Sequence, residues 1–180
     1  MKTQILDTRI NCMFPWFNKT AIEYITKINI STWNVFEWGS GYSTIWWSHY
    51  ARHITAIEHY SKWFQTMRNL FRPIKRSNII CKLKDFKKSV SCPYTKAIHD
   101  TPDIYDCIIV DGRNRVLCIQ EIFAQKHTKT GSLIILDNSD RGRYSEGIKI
   151  LNRHGLIVLK TPVIKGNLYR MWETTIWKIA

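Results

Sequence analysis

Val35-Phe36-Glu37-Trp38-Gly39-Ser40-Gly41-Tyr42-Ser43-Thr44 decides the fold of this chain. Its apolar start reads as a buried strand, and two glycines turn it into a helix whose free N–H groups Ser43 and Thr44 can cap. Nineteen residues after Gly39, a second apolar run, Ile54-Thr55-Ala56-Ile57, ends in Glu58. A glycine turn lets the backbone approach a ligand closely, and a strand-terminal acid at this distance accepts hydrogen bonds from ribose hydroxyls. The order strand, turn, helix, strand, acid therefore predicts a site for an adenosine-type cofactor. The glycines alone would also fit a dinucleotide fold, but Thr44 stands where G-x-G-x-x-G requires a third glycine.

On either side of this stretch the apolar periodicity predicts a helix near Thr20–Ile28, a strand at Trp33–Glu37 and a helix from about Ser43 to Arg52. A strand at His53–Glu58 leads to a helix near Ser61–Phe71, which Pro73 should stop. Asn78–Leu83 reads as a third strand, and Lys84–Pro102 as irregular with a helical turn around Thr95–His99. Tyr105–Val110 is near-continuously apolar, as a central parallel strand should be. An amphipathic helix over Asn114–Thr128, a strand at Ser132–Leu136 and a helix at Arg143–Asn152 follow, with Gly155 at the stop position. Leu156–Lys160 and Met171–Ile179 have no helix between them and should pair as an antiparallel hairpin. The alternation predicts an α/β fold, a Rossmann-like three-layer sandwich whose seven-stranded sheet is mostly parallel. One domain over residues 1–180 accommodates it, with residues 1–30 as a helical segment packing near the cofactor site. In such sheets ligands bind beyond the carboxyl ends of the strands, which selects Glu37–Gly41, Glu58, Asp111 and Asp137–Asn138.

Composition narrows the classes. No apolar run reaches about 18 residues, so no membrane span is expected, and the N-terminus lacks the apolar core of a secretory signal. Five cysteines, Cys12, Cys81, Cys92, Cys107 and Cys118, show no C-x-x-C spacing, which argues against a zinc site or disulfide framework and for a reducing cytoplasm. His49, His53, His99, His127 and His154 show no ligand spacing, and Trp46, Trp47 and Trp177 read as core aromatics. The net charge of +13 is the outlier; between Lys62 and Lys88 only Asp85 opposes many Lys and Arg. Charge alone leaves two readings open, a solvated basic face or attraction to an anionic partner such as nucleic acid.

With these motifs assembled, the chain resembles the class I S-adenosylmethionine-dependent methyltransferases over nearly its whole length. It looks most like a family of small methyltransferases of poorly defined substrate. The features carrying this are Pro15-Trp16, Glu37–Thr44, Ile57-Glu58-His59, Asp111–Arg115, and Asp137–Arg141 with Tyr144. The resemblance implies that Glu37, Gly39, Ser40 and Gly41, backed by Ser43 and Thr44, wrap the methionine end of the cofactor. Glu58 would hold the ribose, His59 or Trp63 would flank the adenine, Asp85 would accept from its amino group, and Asp111 would adjoin the cofactor.

Asp111, Asp137 and Asn138 also match, by position, the residues that bind a divalent cation in catechol-type O-methyltransferases, so Mg²⁺ held by these three is one expectation. The other is that Asp111 and Asp137 serve catalysis and positioning without metal. The lysine base of that family is replaced here by Asn114. Arg113, Arg115, Asn138, Arg141 and Tyr144 are the candidate acceptor-binding residues, because a planar guanidinium grips carboxylate or phosphate bidentately. Arg143 gathers at the same mouth; the alternative for these arginines is local ion pairing with Asp111 and Asp140. The expected activity is methyl transfer to oxygen or nitrogen of a small anionic acceptor. The competing readings are a nucleic-acid methyltransferase, against which no N/D-P-P-Y/F motif is present, or a cofactor-binding module without turnover.

Overall fold

The structure is a computed structural model and describes residues 14–74, 77–164, 166 and 171–180. Residues 1–13 of the expected N-terminal segment, Cys12 among them, lie outside that range, as do Lys75 and Arg76 of the basic stretch. The elements follow the expected order. They are α1 (Lys19–Ile25), β1 (Asn34–Trp38), α2 (Tyr42–Tyr50), β2 (His53–Glu58), α3 (Ser61–Ile74), β3 (Ile79–Leu83), β4 (Cys107–Val110), α4 (Arg115–Ala124), β5 (Leu133–Asp137), α5 (Ser145–His154), β6 (Gly155–Lys160) and β7 (Thr174–Ile179). Seven strands form one sheet in the order β3-β2-β1-β4-β5-β7-β6. The first five are parallel neighbours, while β7 runs antiparallel to both β5 and β6.

Strand geometry sorts the apolar residues onto two faces, because successive side chains point to opposite sides. Phe36, Trp38, Ile108, Val110, Ile134 and Leu136 join one core with Ile119 and Ile122 of α4 and Leu151 of α5. Val35, Ile54, Cys107, Ile109, Leu133 and Ile135 join the other with Ala21 and Ile25 of α1 and Trp46 and Trp47 of α2. Every residue of β4 and β5 is buried, which is why their sequences run apolar up to Asp137 at the end of β5. Burying each such side chain fully stabilises the fold by about 1.5–3 kcal/mol.

Several boundaries differ from the sequence expectation, each for a physical reason. Helix α3 runs past Pro73 to Ile74, since a proline in a last turn costs only a terminal hydrogen bond. Helix α4 stops at Ala124 rather than Thr128, because Gln125 is extended and His127 turns inward, 2% exposed. A 3₁₀ turn at Gly142–Tyr144 precedes α5, and β7 begins at Thr174. Gly155 does not stop α5 through a left-handed conformation; it is extended, and a Cβ there would lie 2.7 Å from the Lys178 carbonyl oxygen of β7.

The scattered histidines are not all isolated. His99 Nδ1 lies 2.8 Å from His127 Nε2, and His99 Nε2 lies 2.8 Å from Glu121 Oε2, so side chains 22 and 28 residues away meet at one hydrogen-bonded chain. Burial holds the His127 imidazole below its ordinary pKa. Among the described residues no helix is long and apolar enough to cross a membrane.

Candidate active site

The glycine turn is built by close backbone approach. Gly39 has φ +96°, and a Cβ there would lie 3.0 Å from Gly112 Cα and 3.0 Å from Gly112 N, so the ends of β1 and β4 touch through two glycines. Gly112 in turn leaves room for Tyr94, whose hydroxyl accepts from the Arg113 N–H at 3.3 Å. Gly41 differs: its backbone is extended, and a Cβ would meet only Ser43 Oγ, at 3.8 Å. Its open side faces the cavity.

Beneath the turn sits Glu37, wholly buried. Ser43 and Thr44 donate to its two carboxyl oxygens at 2.5 Å each, and the Gly41 N–H donates to Thr44 Oγ1 at 3.0 Å. Burial pushes the Glu37 carboxyl up to about 8 despite those hydroxyls. Glu37 and Thr44 therefore support the turn from below rather than reaching the cavity. The Trp63 indole N–H donates to the Ser40 carbonyl at 2.7 Å, which pins the turn from α3.

Glu58 closes onto the same turn. Its Oε2 accepts from Ser40 N at 3.3 Å and Ser40 Oγ at 3.1 Å. Its Oε1 accepts from the N–H groups of His59 at 2.7 Å and Tyr60 at 2.8 Å, with His59 Nδ1 2.9 Å away. These donors outweigh burial and hold the carboxyl below its ordinary range, so it is ionised at neutral pH. Both long contacts come from Ser40, so a ligand hydroxyl reaching Glu58 would compete with that residue first.

At the ends of β4 and β5 the guanidinium of Arg115 is 6% exposed. Its Nε donates to Gly112 O at 3.0 Å, Nη2 to Asp111 O at 2.9 Å and to Asp111 Oδ1 at 2.8 Å, and Nη1 to the Asp137 carbonyl. Four of its five donors are committed within the protein, so Arg115, which also lines the cavity, ties the two strand ends together. Asp137 is 3% exposed, and its Oδ1 accepts from Thr174 Oγ1 at 2.5 Å. Burial and the nearby Asp111 push the Asp137 carboxyl well up, and burial raises Asp111 against the pull of Arg115. Asp111 lines the cavity; Asp137 and Asn138 do not. The trio thus does not converge as a cation cage, and among the described residues no three His, Cys, Asp or Glu side chains do. The residues present do not fit the expected Mg²⁺.

The cavity above the strand ends has a volume of about 1330 Å³, beyond the ~300–1,000 Å³ usual for one small ligand. At its β2 end stand Glu58, His59, Trp63 and Phe86, with the His59 ring 4.9 Å from Phe86 and 5.4 Å from Tyr94. Arg113 beyond β4, Arg141, Arg143 and Tyr144 beyond β5, and Trp16 line it as well. Asp85, expected at the adenine, is exposed and off the cavity, and its carbonyl accepts from Tyr94 N at 3.0 Å. Phe86, one position on, takes the wall; an aromatic directly after the third strand's acid was the signal for it. Asn114 staples the rim: its amide donates to the carbonyls of Lys87 at 2.8 Å and Val90 at 3.2 Å and accepts from Ser89 N at 3.0 Å.

No known protein family and no curated protein matches the sequence. Solved structures do share the architecture. An rRNA methylase from Streptococcus thermophilus superposes with a TM-score of 0.66 at 10% identity, covering 89% of this chain and 94% of that one. The N-methyltransferase NodS from Bradyrhizobium japonicum WM9, in complex with S-adenosyl-L-homocysteine, gives 0.57 at 14%, covering 90% and 88%. The Methanococcus jannaschii fibrillarin pre-rRNA processing protein gives 0.59 at 17%, covering 84% and 69%. The chain therefore has the Rossmann-like fold of the methyltransferases.

Proposed function

We propose that the chain binds S-adenosylmethionine along the glycine turn and transfers its methyl group to oxygen or nitrogen of a small anionic acceptor. The observation carrying this is the open side of Gly41 in a cavity with an acid and aromatics at one end and cations at the other. The residues fit the cofactor. Gly39–Gly41 offer bare backbone for its methionine end, Glu58 a carboxylate for ribose hydroxyls, and His59 and Phe86 a wall for adenine. When bound, the cofactor supplies an electrophilic methyl group.

The chain's own residues supply alignment and proton handling. Asp111 is the carboxyl of the strand-end pair that reaches the cavity, and its raised pKa suits it to take a proton from the acceptor. Arg113, Arg141 and Arg143 orient an anionic group, and Tyr144 carries Arg143 on its ring face, 5.0 Å from the centroid. A second reading, nucleic acid as the acceptor, is favoured by exposed Lys62, Arg68 and Arg72 on α3, for which no carboxylate partner is found among the described residues.

Calorimetry with S-adenosylhomocysteine on the wild type and on Gly41→Ala tests the proposal. The wild type binds, with the same affinity with or without Mg²⁺. Gly41→Ala keeps its melting temperature, because the position is extended and roomy, yet loses at least about tenfold in affinity as the methyl group fills the cradle. An absence of binding in the wild type would overturn it.

A further inference from the structure

Trp16 stands apart from the other residues of the cavity. Its side chain is 73% exposed although both neighbours in sequence, Pro15 and Phe17, are buried. The segment is anchored directly behind it. Asn18 is wholly buried, donates through Nδ2 to the carbonyls of Trp172 at 2.8 Å and Pro162 at 3.1 Å, and gives its backbone N–H to Thr174 Oγ1 at 3.1 Å. Thr174 bonds Asp137 at the end of β5, so Trp16 is held two residues from a fixed point on the β5 side of the mouth. An indole presented to solvent from an anchored backbone offers a flat apolar face at little entropic cost.

The cofactor does not account for this face. Adenine has its wall at the opposite end, in His59 and Phe86, four strands away across the sheet from β7, to which Asn18 is tied. Three exposed cations line the same cavity as Trp16. Arg113, Arg141 and Arg143 are exposed at the mouth, and Arg143 is fixed by Tyr144, whose hydroxyl accepts from its Nη2 at 3.0 Å. Among the described residues none of the three has a carboxylate within 4 Å. A flat apolar face in one cavity with three guanidinium groups fits a planar ring that stacks, carrying an anion that the arginines grip. An aliphatic anion would leave the indole uncovered, and a neutral ring would leave the arginines unpaired.

Resting on the reading of this cleft as the acceptor side of a methyltransferase, we infer that the acceptor is a planar aromatic compound bearing a carboxylate or phosphate, stacked on Trp16 and held by Arg113, Arg141 and Arg143. A hydroxybenzoate and a nucleoside monophosphate share this chemistry. Trp16 is then the residue that selects rings over ringless anions.

Equilibrium binding followed by calorimetry tests this without turnover, using matched pairs on protein saturated with S-adenosylhomocysteine so that the adenosine end is filled. The pairs are 4-hydroxybenzoate against cyclohexanecarboxylate, and uridine monophosphate against ribose 5-phosphate. In at least one pair the planar ring binds about tenfold tighter than its partner, and which pair does so identifies the source. Trp16→Ala abolishes that tenfold preference and Trp16→Phe keeps most of it; a side chain this exposed is replaced without unfolding the protein. Arg113→Gln with Arg141→Gln weakens both members of the pair alike. Equal binding within both pairs, or a preference that survives Trp16→Ala, overturns the inference. Failure of S-adenosylhomocysteine to bind overturns the methyltransferase reading instead, and the same pairs measured without it still decide whether Trp16 selects rings.

Discussion

Replacing Glu37 by Gln isolates the electrostatics of the glycine turn. The carboxyl is wholly buried, and its pKa rises from 4.5 to about 8 because burial disfavours the charged form more than Ser43 and Thr44 favour it. An acid whose folded pKa lies above its unfolded one binds more protons folded than unfolded between those values. Its contribution to stability is therefore fully present below pH 4.5 and is lost as pH rises towards 8. The slope for one proton cannot exceed about 1.4 kcal/mol per pH unit. Gln is nearly isosteric, can still accept from one hydroxyl and donate to the other, and does not titrate. The wild-type protein should thus lose stability relative to Glu37→Gln between pH 5 and pH 8, by an amount of order a few kcal/mol in total. For a chain of this size that moves the difference in melting temperature by roughly 5–10 °C across the range. Urea unfolding at half-unit pH steps on both proteins gives the measurement. Parallel curves, with a difference constant to about 0.5 kcal/mol, would refute the burial argument.

Two further substitutions probe the frame around the cleft. Gly39→Ala places a side chain at φ +96° and pushes a Cβ to 3.0 Å from the backbone of Gly112, so it should destabilise by at least about 2 kcal/mol in urea melts; a loss like that of the roomy Gly41→Ala would contradict the close approach. Asn114→Ala removes three hydrogen bonds to residues 87–90 and should cost about 1–2 kcal/mol, the rim being exposed. It should also speed tryptic cleavage at Lys87 and Lys88 several-fold, and an unchanged cleavage rate would show that the rim is held by something else.

The sheet was legible because its signals are local: apolar strands of even burial, a two-glycine turn, and two last strands too close for a crossover. Half of the cleft was legible for the same reason, since strand ends predict where Glu58 and Asp111 emerge. The remainder depends on which way side chains leave irregular backbone. Nothing in the spacing says that Asn114 adopts φ +49° and staples Lys87–Val90, or that Phe86 and not Asp85 meets the cavity. His99 and His127 show the same limit, because α4 ends at Ala124, about one turn before Thr128, and the chain beyond it brings His127 inward to His99. Trp16 was visible as part of a motif, but its exposure between buried neighbours was not.

Arg115 explains why acids placed as in a metal-dependent enzyme do not form a metal cage. Two carboxyl groups at the ends of β4 and β5 would carry two negative charges in a largely buried setting, which is costly without compensation. The guanidinium of Arg115 supplies one positive charge between the two strand ends. Burial and the proximity of Asp111 favour the neutral form of Asp137, which removes one of the negative charges. One cation and one carboxylate then balance, so the site is close to neutral before any ligand arrives. A divalent ion added there would face Arg115 at short range, and at an effective dielectric of about 20 each pair of like unit charges near 4 Å costs about 4 kcal/mol. Repulsion on that scale must be met by new oxygen ligands, yet Asp111 Oδ1 and Asp137 Oδ1 are already engaged by Arg115 and Thr174. The arginine one turn after Asp111 thus provides the positive charge that the acidic pattern by itself would assign to a metal.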